Sequence, residues 1–168
     1  MLNEQATFDL ATRLRAPRGV AIGDVFTFLS GLYFRGKLAY ARHFACAPEG
    51  TDGVLVITPT RGLVPPERPV TLAALREFAT VDVDPGERRY REPLERCARR
   101  LAQQVGTRCE VVLLGSVATG KYLDVLRDLL GRRLHYPADF VGIGDMSRGG
   151  LMLRCVREGR ELDYVRAP

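Results

Sequence analysis

Two short, mostly apolar runs constrain what this chain can fold into more than any other feature. The runs VLVIT (residues 54–58) and EVVLL (residues 110–114) lack the polar alternation that marks a half-exposed strand, so both predict buried strands. Helical patterns lie next to both runs, and the clearest covers residues 91–105. Buried strands between helices are typical of α/β proteins. We therefore predict an α/β fold, a three-layer sandwich with a mostly parallel central sheet.

The other periodic stretches extend this plan. Apolar residues spaced three or four apart predict further helices over residues 4–15, 33–45, 70–79 and 119–130. We predict a third strand over residues 133–136, a glycine-rich loop over residues 137–150, and a C-terminal β-hairpin over residues 151–165. Because the chain has 168 residues without a repeat or an obvious linker, we predict one domain over residues 1–168.

Lysine and serine are rare in this sequence. Of the 25 Lys and Arg residues only Lys37 and Lys121 are lysines, and the only serines are Ser30, Ser116 and Ser147. A chain that uses arginine for generic positive charge keeps a lysine either by chance or where a compact ammonium is needed, and both interpretations are open. All five residues lie in glycine-containing segments. We predict that they gather at one opening in the fold.

One of these segments has the form of a phosphate-binding turn. Residues 115–121 spell G-x-x-x-x-G-K between a predicted strand and a predicted helix, where backbone N–H groups and the helix dipole attract anions. The residues predicted to bind phosphate here are Ser116, Thr119, Gly120 and Lys121. Tyr122 stands where a nucleoside triphosphatase has the Ser or Thr that holds Mg²⁺, which disfavours that activity. The alternative is a tight turn with Lys121 in solvent.

A second segment, GIGDMSRGG (residues 142–150), has four glycines in nine residues. Glycines allow a positive φ and a close approach of the backbone to a ligand. We predict Asp145 as a catalytic base or hydrogen-bond acceptor, Ser147 as a hydroxyl donor and Arg148 as a clamp for phosphate or carboxylate. The alternative is an ordered loop in which Asp145 caps a turn and pairs with Arg148.

Two further segments are predicted to reach the same cleft. Lys37 follows the aromatic pair Tyr33-Phe34, and Arg61 lies in the loop after the first buried strand. We predict that both cations contact an anionic ligand, and Asp24 is the second candidate for a catalytic carboxylate. The arginine-rich residues 87–100 form either a solvated helix face or, less favoured, a nucleic-acid contact.

Composition narrows the remaining choices. The four cysteines include no CxxC pair, so we predict no metal site and no cofactor. The net charge of +5 suits an anionic small molecule or nucleic acid. No apolar run reaches the length of a membrane helix, and residues 1–19 lack the apolar core of a secretory signal. We therefore predict a cytoplasmic protein that does not contact a membrane.

The stretches SGLYFRGKLAYA, GSVATGKY and GDMSRGG resemble those of an uncharacterised bacterial protein family. The strand and loop VLVITPTRGLVPPE resemble a turn in the archaeosine-synthase-associated domain. More distantly, the whole chain resembles the α/β proteins of the uracil-DNA-glycosylase-like class. This resemblance implies a three-layer α/β fold and a nucleotide-like ligand.

Three functional hypotheses follow. The first is that the chain binds a nucleotide, a nucleoside or a nucleic-acid phosphate and hydrolyses an N-glycosidic or related bond, with Asp145 and then Asp24 as catalytic candidates. The second is a non-catalytic module that binds nucleic acid or a phosphorylated metabolite. The third is a degenerate P-loop nucleotide-binding protein.

Overall fold

The computed structural model describes residues 7–117 and 120–168. The helices in this part of the chain are α1 (Asp9–Arg15), α2 (Ile22–Phe44), α3 (Leu72–Phe78), α4 (Arg88–Gln104), α5 (Leu123–Leu130) and α6 (Asp145–Glu158). The strands are β1 (Val20–Ala21), β2 (Val56–Thr58), β3 (Gly62–Val64), β4 (Pro69–Val70), β5 (Val111–Val112), β6 (Leu134–Pro137) and β7 (Tyr164–Arg166). Two 3-10 turns cover Gly131–Arg133 and Ala138–Phe140.

The chain combines helices and strands, as the prediction of an α/β protein requires, but the mostly parallel central sheet is not confirmed. In the described residues the strands form three small sheets: β1 with β4, β2 with β3, and β5–β6–β7. Within those residues the pair β5–β6 is parallel and the other pairs are antiparallel. The reason lies at the end of β2. Gly62 has φ +63, so the chain turns back into β3 instead of entering a helix.

The predicted C-terminal hairpin is wrong, because residues 145–158 form the helix α6. Its buried residues include Arg148, Met152 and Cys155, spaced four and three apart, which is a helical stripe and not the alternation of a strand. Gly159, with φ +61, ends this helix and is not the centre of a hairpin turn. The last strand, β7, pairs antiparallel with β6 instead.

The helix α2 is broken at Gly31, whose φ of 55° and ψ of −131° favour glycine. The second half corresponds to the predicted helix over residues 33–45, whereas the sequence analysis did not predict a helix for the first half. The first half contributes Ile22 and Val25 to one core cluster, and the second half contributes Tyr40 to another. The break therefore lets one helix take part in two cores.

The second half of α2 and the helix α6 cross at two glycines. A Cβ atom on Gly36 would lie 2.6 Å from the carbonyl oxygen of Gly149, and one on Gly149 would lie 2.8 Å from the carbonyl oxygen of Leu32. Only glycine allows the two backbones to come this close. The predicted ligand-binding role of the glycines in residues 142–150 is thus replaced, at Gly149, by helix packing.

None of the helices in residues 7–117 and 120–168 has the length and the hydrophobicity that a membrane span requires.

Candidate functional site

Five side chains from three segments meet where α6 begins. Tyr33 and Lys37 come from α2, Tyr122 immediately precedes α5, and Asp145 and Arg148 lie in the first turn of α6. Lys37 contacts the Tyr33 ring and Arg148 contacts Asp145, and the charge of Asp145 acts on the pKa values of Tyr33, Lys37 and Tyr122. We call these five residues the Lys37 cluster. The glycine crossing of α2 and α6 brings them together, because it sets the distance between the two helices.

Lys37 is held partly inside the protein. Its ammonium lies 3.8 Å from the centroid of the Tyr33 ring, in a cation–π contact. Burial is the main cause that lowers its pKa, to about 8, and the positive charge of Arg148 adds to this effect. The carboxylate of Asp145 acts in the opposite direction and raises the pKa of Lys37. The protein thus holds this ammonium in surroundings that disfavour its charge.

Arg148 is buried and is fixed by hydrogen bonds. Its Nε and Nη2 donate to the carbonyl oxygen of Phe140, at 3.1 and 2.7 Å. Its Nη1 donates to Oδ1 of Asp145 at 3.2 Å, while the Asp145 side chain remains 63% exposed. The pairing of Asp145 with Arg148, which was the alternative to a ligand clamp, is present. These hydrogen bonds fix the position of the guanidinium group. They use three of its five N–H groups.

The two tyrosines form the apolar part of the cluster. Burial raises the pKa of Tyr33 and that of Tyr122, and the nearby Asp145 carboxylate raises both further. The Tyr33 hydroxyl is buried, and no described residue makes a hydrogen bond of standard geometry to it, although Arg148 is close enough to lower its pKa in part. The Tyr122 ring packs over Gly115, where a Cβ atom would lie 3.2 Å from the ring.

Of the segment that resembles a P-loop and the residue after it, only Tyr122 belongs to the Lys37 cluster. Gly120 has φ +65, and a Cβ there would lie 2.5 Å from the Asp124 carboxylate, so a negative group already faces that glycine. The Tyr90 hydroxyl donates to the carbonyl oxygen of Lys121 at 2.9 Å, while the Lys121 side chain is exposed. Such surroundings disfavour phosphate binding at Gly120. Thr119 lies outside the described residues.

Arg61 and Asp24 are not part of the Lys37 cluster. Arg61 lies in the turn between β2 and β3, where its Nη2 donates to Glu77 at 3.2 Å and its carbonyl oxygen accepts from the Cys97 thiol. Asp24 is exposed in the first turn of α2, before the break at Gly31, where a carboxylate stabilises the helix dipole. That either residue shares a cleft with the Lys37 cluster stays a prediction.

The serines are spread over different surroundings. Ser147 is exposed in the first turn of α6, Ser30 is exposed just before the break in α2, and Ser116 is half-buried after β5. Lys37 is half-buried in the Lys37 cluster, whereas Lys121 is exposed and directly precedes the cluster residue Tyr122. That both lysines and all three serines share one opening stays a prediction.

Tyr122 is the cluster residue that the sequence analysis missed. It was considered there only as a departure from the P-loop pattern. A signal was available, since the ring of a tyrosine directly after Gly-Lys at a helix start has apolar area to bury.

Comparisons with protein-family models, with curated proteins and with solved structures found no match for this chain. Within the described residues, no three His, Cys, Asp or Glu side chains come together in a way that could hold a metal ion.

Proposed function

We propose that this protein binds a nucleotide-like anion at the Lys37 cluster, through the phosphate group. The observation that carries the proposal is the half-buried Lys37 ammonium beside the buried Arg148 guanidinium, with Asp145 as the carboxylate that partly offsets them. While Lys37 is protonated, the three groups together carry one net positive charge. An anion placed there would stabilise the ammonium that burial disfavours.

The tyrosines supply the rest of the recognition. The Tyr33 hydroxyl is a donor near Arg148, and a phosphate oxygen is an acceptor that would pair with it. A nucleoside base would stack on the half-buried Tyr122 ring. Lys37 would make the main electrostatic contact with the phosphate, while Arg148 would orient it with the N–H groups that Phe140 and Asp145 do not use. Ser147, exposed in the first turn of α6, keeps its predicted role as a hydroxyl donor within this proposal.

The test is a titration of AMP binding against pH, measured by isothermal titration calorimetry. Because the pKa of Lys37 is about 8, its ammonium loses its proton as the pH rises past that value. We expect the affinity to fall about tenfold between about pH 7 and about pH 9. The second pKa of the phosphate is about 6, so the charge of the ligand stays constant over this range. An affinity that does not change with pH, or no AMP binding, would contradict the proposal.

A hydrolytic activity is the second candidate, and the exposure of Asp145 favours it. The carboxylate is oriented by Arg148 yet 63% exposed, so it can reach a water molecule beside a bound ligand. We expect Asp145→Asn to keep AMP affinity within about threefold while removing hydrolysis of a nucleoside monophosphate at the N-glycosidic bond. Release of free base, followed by chromatography, measures this activity. Wild-type protein that binds AMP and releases no base would leave the non-catalytic module as the function.

A further inference from the structure

Lys37 has surroundings that differ from those of the second lysine in this chain. It lies half-buried against the Tyr33 ring, whereas Lys121 is exposed. The Lys37 cluster also contains a carboxylate, Asp145, and a fixed cation, Arg148. An amine beside an aromatic ring, with a proton acceptor and an anion-binding group close by, has the parts that carbonyl chemistry needs.

We propose that Lys37 is a nucleophile that forms an imine with a phosphorylated aldehyde or ketone bound at the Lys37 cluster. The proposal rests on the anion binding proposed above and adds the substrate class and the covalent step. The phosphate would lie at Arg148, and the carbonyl carbon would lie against Nζ of Lys37. Lys121, which is exposed, serves as the comparison lysine.

The step balances without an oxidant, a reductant or a further reactant. The Lys37 ammonium first releases a proton to solvent, and the electron pair of the neutral amine then attacks the carbonyl carbon. The C–N bond forms, the π bond of the carbonyl group breaks, and one N–H proton moves to the oxygen, which becomes a hydroxyl group. The hydroxyl group takes up a proton from solvent and leaves as water while the nitrogen electron pair forms the C=N bond, and the remaining N–H proton is lost to solvent. The amine and the carbonyl compound thus give an imine and water.

The charges around Lys37 favour this reaction near neutral pH. At about pH 8 about half of the Lys37 side chains are neutral, whereas well under about one per cent of an exposed lysine is neutral there. The groups that face Lys37 act on this balance in different directions. Arg148 favours the neutral amine and Asp145 the ammonium, while Tyr33 and Tyr122 stay uncharged because burial raises the pKa of both.

The experiment compares the two lysines within one wild-type molecule. The protein is incubated with pyridoxal 5′-phosphate at about pH 8, the imine is reduced with borohydride, and peptide mass spectrometry measures the adduct at each lysine. We expect Lys37 to be labelled at least about tenfold faster than Lys121. We also expect pyridoxal without the phosphate to lose most of this preference. Equal labelling of the two lysines, or faster labelling of Lys121, would overturn the proposal.

AMP distinguishes this proposal from the function on which it rests. If AMP binds to the wild-type protein and slows the labelling of Lys37, both proposals are supported. If AMP binds and Lys37 is labelled no faster than Lys121, the covalent step is refuted while the anion site stands. If AMP does not bind and pyridoxal 5′-phosphate shows no preference over pyridoxal, the anion site itself is refuted.

Discussion

Replacing Gly149 by alanine is expected to lower the free energy of unfolding by about 3 kcal/mol, since the new methyl group would overfill a tightly packed helix crossing. The Cβ atom would lie 2.8 Å from the carbonyl oxygen and 2.9 Å from the Cα atom of consecutive residues, Leu32 and Tyr33. Both are backbone atoms, so a rotamer change cannot relieve the contact. The helices α2 and α6 would have to move apart. Denaturation in urea, followed by circular dichroism, measures the change.

The neighbouring glycine provides the control. Gly150 lies in the same helix, and a Cβ atom there meets nothing within 4 Å. Gly150→Ala is expected to stabilise the protein by about 0.5–1 kcal/mol, because alanine loses less backbone entropy than glycine in a helix. If the two substitutions change stability by the same amount, the crossing is not as close as described here. Gly149→Ala should also weaken AMP binding, since the crossing positions Arg148 beside Lys37.

The glycine-rich segments are evident in the sequence, but the packing role of Gly149 is not. A high density of glycine predicts a close approach of the backbone to another group. It does not distinguish a ligand from a second helix. The partner of Gly149 is Leu32–Tyr33, more than a hundred residues earlier in the chain. No local pattern carries that pairing. The spacing of Arg148, Met152 and Cys155 does indicate a helix, although the density of glycine in the same segment favours a loop.

The candidate site could be predicted only in part, because its residues come from segments that are far apart in the sequence. The rarity of lysine indicates Lys37, and the glycine-rich segment 142–150 indicates Asp145 and Arg148. The structure brings these residues together. The prediction that Arg61 belongs to the site depends on a parallel sheet that contains the run VLVIT. In a parallel sheet the residues after each strand share one edge. Since β2 turns back into β3 at Gly62, that argument does not apply to Arg61.

Replacing Lys37 by methionine is expected to remove AMP binding and at the same time to stabilise the free protein. Methionine has a similar length and fills the same half-buried space without a charge. The low pKa of Lys37 shows that its surroundings disfavour the ammonium, mainly through burial. The contact with the Tyr33 ring offsets part of that cost. We therefore expect a gain of about 1 kcal/mol near neutral pH, together with a fall of more than about tenfold in affinity for AMP.

The pH dependence of this gain separates a charge effect from a packing effect. Lys37 has a pKa of about 8 in the folded protein, below its value of 10.5 in an unfolded chain. Between these values the unfolded state binds more protons, so the wild-type protein becomes more stable as the pH rises relative to Lys37→Met. The gain should thus be complete below pH 8 and should shrink above it. Lys121→Met, at an exposed position, should change stability by no more than about 0.5 kcal/mol at any pH. A gain at Lys37 that is constant from about pH 7 to about pH 10 would show that the ammonium is not strained by burial, because proton linkage would then be absent.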